Sequence, residues 1–384
     1  MCIRDRSTFT ADIQSGVNAA LSGDTLVAYQ GTYFENIYID KRIILSSEYI
    51  FNNDTSYISS TIIDGSQDST VVHIDTANVI LKGFTITNGY SNYGAGITAN
   101  GNGIVLTDLN VINNLAQGDL DGGGAAISGD VHILNSKFVN NQGRKGGAIL
   151  MSWGYPLIEN CQFSNNNCTE SGAVFQIMSS APTIINALIT NNGNIGSLNN
   201  ANLIYTQGNA ADAVFINSTI TANSTDAYIV MNHSGSISFM NSILYNDGFN
   251  EAGDYSGSFP SSISFSNCNV QGITLTNENI DLNPLLDNDF RLSDNSPCIG
   301  AGIDSLIVPL LDLNGDPRPN PIGSNPDIGA YENALAIPSL NLFTYVPDDN
   351  FENYLEANGM GDGIALNDSV LTCLLYTSPS PRDS

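Results

Sequence analysis

Basic residues are scarce in this chain. Its 384 residues include 11 Lys and Arg against 38 Asp and Glu, a formal net charge of −27. A surface of that sign repels nucleic acid phosphates and anionic membranes, so no nucleic acid partner is expected. Charge of either sign is thin, at 13% of residues, which separates the chain from acidic disordered polymers. Apolar runs long enough to span a bilayer are missing, so no membrane insertion is expected of the segment in hand. Lys, Glu and Ala are too few to support long helices. The three histidines, His73, His132 and His233, share no metal-ligand spacing, and core or surface roles are expected of them.

What is present is Asn, Ser, Thr and Gly, interleaved with β-branched residues, a mixture that favours short strands and tight turns. The two ends read differently. "MCIRD" and "CLLYT" can be encoded by one stretch of DNA read on opposite strands, as translated sequencing adaptor would be. Residues 1–6 and 373–384 are therefore set aside from fold reasoning. On that expectation, residues 7–372 are an internal piece of a longer protein.

Internal repetition is the strongest signal. The segments "GFTITN", "DLNVINN", "NSKFVNN", "NCQFSNN", "NALITNN", "NSTITAN", "NSILYND" and "NCNVQG" centre on Ile86, Val111, Phe138, Phe163, Ile189, Ile220, Leu244 and Val270. Successive centres are about 25 residues apart, and no helix pattern lies between them. A second motif recurs as "GAGI", "GGAAI", "GGAIL" and "SGAVF". Such a period is expected to give one coil of a parallel β-helix per repeat, with equivalent positions stacked at ~4.8 Å. About ten coils would make a rod on the order of 50 Å long.

Alternation turns Cys161 and Phe163 inward and Gln162 and Ser164 outward. Ser136, Ala187, Ser218 and Cys268 match Cys161 as small inward residues. The Asn runs close each strand, because Asn tolerates the left-handed conformation of a sharp corner, and stacked amides can bond from coil to coil. Near the start, "TADIQSGVNAALSG" puts Ile13, Val17, Ala20 and Leu21 on one helical face, with Thr10 as the expected N-cap. This helix would close the first coil.

At this point the sequence resembles a known group. "GDTLVAYQGTYFENI", "TIIDGS" and "GFTITNG" look like right-handed parallel β-helix proteins of the pectate-lyase-like superfamily. Residues 281–332, "DLNPLLDNDFRLSDNSPCIGAGID…DLNGDPRPNPIGSNPDIGAYE", are similar to the C-terminal part of bacterial choice-of-anchor Q proteins. That resemblance implies a secreted or cell-surface setting. Residues 345–372 look like the lead-in to a leucine-rich repeat module. The expected organisation is an all-β, right-handed parallel β-helix with its N-terminal cap over 7–280. A C-terminal cap follows over 281–335, then a linker and the start of a further module over 336–372. The chain is expected to be a monomer.

Candidate chemistry centres on cations. Between Lys82 and Arg291 the only bases are Lys137, Arg144 and Lys145. Aligning the second motif on Ile127, Ile149 and Val174 sets Lys145 beside Glu170 and Arg144 near Asp119 and Asp121. One reading is charge pairing across coils. The other is a lateral groove in which Arg144 and Lys145 meet an anionic sugar and Trp153 and Tyr155 stack on it, unless those aromatics pack over the adjacent coil. Hydrolases of this fold place paired carboxylates on successive coils, and no such cluster stands on the strands. Lyases combine calcium-binding carboxylates with a basic residue, and only Asp119, Asp121 and Arg144 approach that. "GDLDGGG" and "DLNGDP" set oxygen ligands at alternate positions, as calcium loops do. No cofactor is required, and calcium is the one left open, at Asp119 and Asp121. The leading function is therefore non-catalytic binding or adhesion toward glycans. A polysaccharide lyase or hydrolase and a passive spacer are the alternatives. Cys161 and Cys268 fall about 19 Å apart in one column, too far for a disulfide. Four free thiols, Cys161, Cys168, Cys268 and Cys298, are expected.

Overall fold

The computed structural model describes residues 2–4, 9–118, 121–194, 202–208, 212–224, 228–246, 250–254, 261–272, 278–338, 343–345, 348–357 and 369–371. One coil shows the architecture. Val131–Leu134 lies in a first sheet, Lys137–Val139 in a second, Gln142–Lys145 in a third and Ile149–Met151 in a fourth. These are sheets I to IV. Each strand pairs in parallel with its counterparts in the neighbouring coils. Sheet II stacks ten strands and sheet IV nine, whereas sheet III holds five. The result is the all-β parallel solenoid expected from the repeat.

Phe138, Phe163, Ile189 and Ile220 are successive partners in sheet II and are wholly buried, as the alternation requires. Aromatic rings then step across the interior. Phe138 stacks on Phe163 at 5.4 Å, and Phe163 meets the edge of Phe175 at 4.8 Å. On sheet I, Phe215 stacks on Phe239 at 4.8 Å, and Phe239 on Phe265 at 5.3 Å. Each such ring contributes roughly 1.5–3 kcal/mol through burial.

The corner after sheet II is made by two Asn residues with different tasks. The first takes the left-handed conformation, as at Asn140, Asn165 and Asn191, with φ of 56°, 55° and 56°. The second turns inward and joins a buried amide ladder through Asn114, Asn141, Asn166, Asn192, Asn223 and Asn246. Asn166 is typical: Oδ1 accepts from the Asn141 backbone N–H and Nδ2 at 3.0 and 3.1 Å, while Nδ2 donates to the Phe138 carbonyl and Asn192 Oδ1 at 2.8 and 3.0 Å. All of its hydrogen-bonding capacity is used without water.

The second motif departs from the expected register. Ile149 pairs with Ala125 and Phe175, not with Ile127 and Val174. Ala125 and Ile127 both face inward, so a slip of two residues leaves the apolar pattern intact. The slip of one at Val174 comes from a β-bulge: Gly143 pairs with Cys168 but Lys145 with Ser171.

At the N-terminus, α1 (Ile13–Ala19) buries Ile13 and Val17, with its C-cap Ala20, against the first coil. Its N-cap is Asp12, which accepts the Ser15 N–H at 2.6 Å, rather than Thr10, which lies in a short strand. The Glu35 carboxylate accepts the Ile13 and Gln14 N–H groups at 2.8 and 2.9 Å, so a residue from the first coil also holds the helix. Leu21 falls beyond the helix and is exposed. Cys2–Arg4, within the stretch set aside as adaptor, runs antiparallel to Thr25–Ala28. Two helices absent from the sequence reading, α2 (Tyr49–Asn52) and α3 (Ser56–Ser60), interrupt the second coil.

Residues 278–338 contain no strand, and they do more than close the end. Ile280 accepts the Val270 N–H and donates to the Cys268 carbonyl, completing the last coil. The segment then runs back along the outer face of sheet II as a strap. Asn241, Asn217 and Asn186, one per coil, donate side-chain N–H bonds to Ile303, Asp327 and Leu311 carbonyls at 2.9, 3.2 and 2.8 Å. Beneath the strap, Leu188 and Ile243 pack against Tyr331, Ile328 and Leu292. Cys161, Cys168, Cys268 and Cys298 are buried free thiols. Burial pushes Cys161, Cys268 and Cys298 up to about 12.

Candidate functional site

Arg144 and Lys145 end their sheet III strand, and Gly146, at φ +64°, turns the chain into sheet IV. A Cβ at Gly147 would lie 2.3 Å from the Asn167 carbonyl, so the corner is glycine by necessity. In the next coil the bulge inserts an extra residue opposite this pair and turns Glu170 outward toward both bases. Glu170 Oε2 lies 3.2 Å from Arg144 Nη1, and Oε1 lies 3.1 Å from Lys145 Nζ. On the other side Arg144 Nε approaches Asp121 Oδ2 at 3.7 Å. The two bases thus sit between Asp121 and Glu170, the pairing that the charge-balance reading expects.

Asp121 is fully buried. Its Oδ2 accepts the Lys145 backbone N–H at 2.7 Å and its Oδ1 the Gly118 N–H at 3.1 Å. Burial raises its pKa, while those N–H groups and the Arg144 charge pull it back down. Both oxygens that a calcium ion would need are engaged by N–H donors. Asp119 lies outside the described residues.

"DLNGDP" behaves likewise. Asp312 Oδ1 accepts the Asn314 and Asp316 N–H groups at 2.8 Å each, and Oδ2 accepts the Glu332 N–H at 2.9 Å. This carboxylate shapes a turn and ties it to the strap. Among the described residues, no group of three His, Cys, Asp or Glu side chains is arranged to hold a metal.

Arg144 lines a groove of about 810 Å³ on the outside of sheet III, with Tyr93, Gln117, Gln142 and Thr169. With Asn92 also on its lining, the groove presents one aromatic ring, three side-chain amides, a threonine hydroxyl and one cation. Trp153 and Tyr155 do not line it. They flank Gly154 at the corner between sheets IV and I, and are 65% and 74% exposed, so neither packs over the adjacent coil. The Tyr155 N–H is held by Asp130 Oδ1 at 2.9 Å. The structure therefore brings Arg144, Lys145, Asp121 and Glu170 together and leaves the two aromatics at a separate corner.

A second charged cluster escaped the sequence reading. Arg318 is buried in the strap and bonded to Glu332 Oε1 at 2.6 Å, with Nη1 and Nη2 donating to the Asp327 and Gly329 carbonyls at 3.2 Å each. Asp327 and Asp312 are buried beside it. Burial, then the Glu332 charge, raises Asp327 to about 7. The available signal was "PRPNPIGSNPDIGAYE", where one Arg is set among acids in an otherwise base-poor segment.

No family model matches this sequence, and no curated protein matches it. Among solved structures the chain is similar to pectate lyase Pel9A, at 14% identity over 85% of this chain and 92% of that one, with a TM-score of 0.46. It is also similar to a pectin methylesterase from Aspergillus niger, at 14% identity over 75% and 91%, TM-score 0.40. A third likeness is to pectin methylesterase from Yersinia enterocolitica, at 14% identity over 71% and 94%, TM-score 0.36. No helix among the described residues is long and apolar enough to cross a membrane.

Proposed function

We propose that this chain is a non-catalytic, glycan-binding β-helix of a secreted or surface-displayed protein. The supporting observation is the state of the ionisable groups around the sheet III groove. Acid–base cleavage of a glycosidic bond needs two carboxyl groups facing the sugar, one able to give a proton. Here Asp121 is committed to backbone N–H groups and Glu170 to two cations. A lyase base must be free to face the sugar, and Arg144 is instead engaged by Asp121 on one side and Glu170 on the other. What remains, Tyr93 with Gln117, Gln142 and Thr169, can stack on and hydrogen-bond a sugar without reacting with it. The resemblance of 281–332 to choice-of-anchor Q proteins supports the extracellular setting, and that of 345–372 supports a further module following the β-helix.

One observation favours a polysaccharide lyase as the second reading: a cation and two carboxylates meet at the edge of an open groove. A glycan array with the full chain, with and without calcium, separates the two. Retention of a glycan unchanged, lost in Tyr93→Ala, is the expected result. Release of an unsaturated, ultraviolet-absorbing product from polyuronate, abolished in Arg144→Ala, would replace binding with catalysis.

A further inference from the structure

Arg144 and Lys145 have carboxylate partners, but Lys137, the third base of this stretch, makes no ion pair with the described residues. It stands exposed on the outer face of sheet II. The burial of that face along the solenoid explains why its position matters. Thr85 and Thr87 are only 5% and 8% exposed, because α3 covers them: Thr85 Oγ1 donates to the Ile58 carbonyl at 2.7 Å. Leu188 and Thr190, three coils beyond Asn110 and Ile112, are 7% and 4% exposed under the strap. Between these covered strands lie three open ones, Asn110–Ile112, Lys137–Val139 and Gln162–Ser164, paired in register. The outer face of sheet II is thus a trough between two walls, roughly 19 Å from Thr85 to Leu188 at four strand spacings.

The strap wall is hollowed. A cleft of about 440 Å³ opens there, floored by Gln162 and Asn191 and walled by Asn288, Asp289, Arg291 and Tyr331. Arg291 lies over the Tyr331 ring at 4.8 Å and, like Lys137, has no carboxylate within ion-pair distance among the described residues. Lys137 is the strand partner of Gln162, so it stands one strand spacing from this cleft. Two cations without an ion-pair partner among the described residues therefore share one trough, whose open floor also carries Ile112 and Val139, on a molecule of net charge −27.

We propose that this trough is a second binding site, distinct from the sheet III groove, for an acidic oligosaccharide lying across the strands. Lys137 contacts an anionic group at mid-trough, and Arg291 contacts another at the strap wall. The amides of Asn110, Gln162, Asn191 and Asn288 meet hydroxyls along the way. Asp289, on the same wall, disfavours crowding of anionic groups at that end. The overall negative charge screens out polyanions of high density, so the ligand is a short or sparsely charged acid. Carboxylated and sulfated sugars share this chemistry.

Calorimetric titration of the full chain at low salt tests it, with a hexuronate tetrasaccharide, its carboxyl-reduced neutral form and a sulfated tetrasaccharide as probes. At least one acidic probe should bind, with affinity falling as salt rises, and the neutral form should bind at least tenfold more weakly. Which acid binds tells carboxylate from sulfate. Lys137→Ala should weaken binding at least tenfold and flatten its salt dependence, while Lys137→Arg should restore both. Lys137 is exposed, so these variants fold. Failure of both acidic probes to bind overturns the proposal. So does equal binding by Lys137→Ala. Binding lost in Arg144→Ala but kept in Lys137→Ala would place the acid in the sheet III groove and overturn it as well.

Discussion

At the scale of residues, asparagine has two separate tasks in this fold. Exposed Asn140 and Asn165 bend the backbone, and buried Asn141 and Asn166 knit successive corners together. These roles differ in energy. Asn166→Leu fills the volume but strands the Asn141 backbone N–H, its side-chain N–H and the Phe138 carbonyl inside the protein. An unsatisfied buried group costs about 1–3 kcal/mol, so the total loss should be on the order of 3 kcal/mol. Asn165→Gly, one position earlier, keeps the left-handed corner and should cost only a few tenths of that. Urea unfolding followed by circular dichroism should show a much lower midpoint for the first variant than for the second. Equal midpoints would mean that the ladder adds nothing. The double Asn was legible because its position repeats with the period. The Lys145–Glu170 pair was legible from the repeat, but the strand register beneath it was not, because one residue inserted at the Thr169–Glu170 bulge turns two successive side chains outward and shifts the pairing.

Among elements, the strap is where sequence reasoning stopped short. A terminal cap was expected, and the segment instead extends back over three coils. The sign of this lay in the outward position of the repeat, where Lys137 and Gln162 give way to Leu188, Thr219 and Ile243. The strap covers the two apolar members of that series, Leu188 and Ile243. Helices α2 and α3 were missed for another reason: "EYIFNNDTSYISS" has no helical apolar stripe, and only Tyr49 of the two helices is buried. Arg318 should decide whether the strap stays down. It links Glu332, the 327–329 backbone and Asn186 of the solenoid, to which Nη2 donates at 3.5 Å. Arg318→Ala leaves Glu332 buried without its cation, a loss typically of about 3–5 kcal/mol. That energy falls on the strap alone, since adjacent coils hold one another through their own interfaces. Limited proteolysis should then cut within residues 303–325 while the coils resist. Cleavage of the coils at the same rate would show that strap and solenoid unfold together.

For the whole molecule, the strap cluster sets how stability responds to pH. Three buried carboxylates, Asp312, Asp327 and Glu332, face one guanidinium, so charge is not balanced inside. Burial and then the neighbouring Glu332 raise Asp327 to about 7, and burial raises Glu332 as well. In the unfolded chain Asp327 titrates near 4. Between about 4 and 7 the folded protein therefore binds more protons than the unfolded one, and stability falls as pH rises through that window. The contribution of Asp327 is present in full below about 4 and gone above about 7, and amounts to at most about 4 kcal/mol. The net charge of −27 acts in the same sense, because deprotonation adds to self-repulsion. Asp121, likewise buried and raised, adds in the same direction. Thermal melts at constant ionic strength should give a Tm that drops between pH 5 and pH 8. Asp327→Asn should flatten that drop, starting from a lower Tm at pH 5 because its amide NH₂ must face one of the two N–H donors, Gly300 or Asn333, that now meet the two carboxylate oxygens. A wild-type Tm that rises across the window, or an equal slope in the variant, would remove Asp327 as the titrating group.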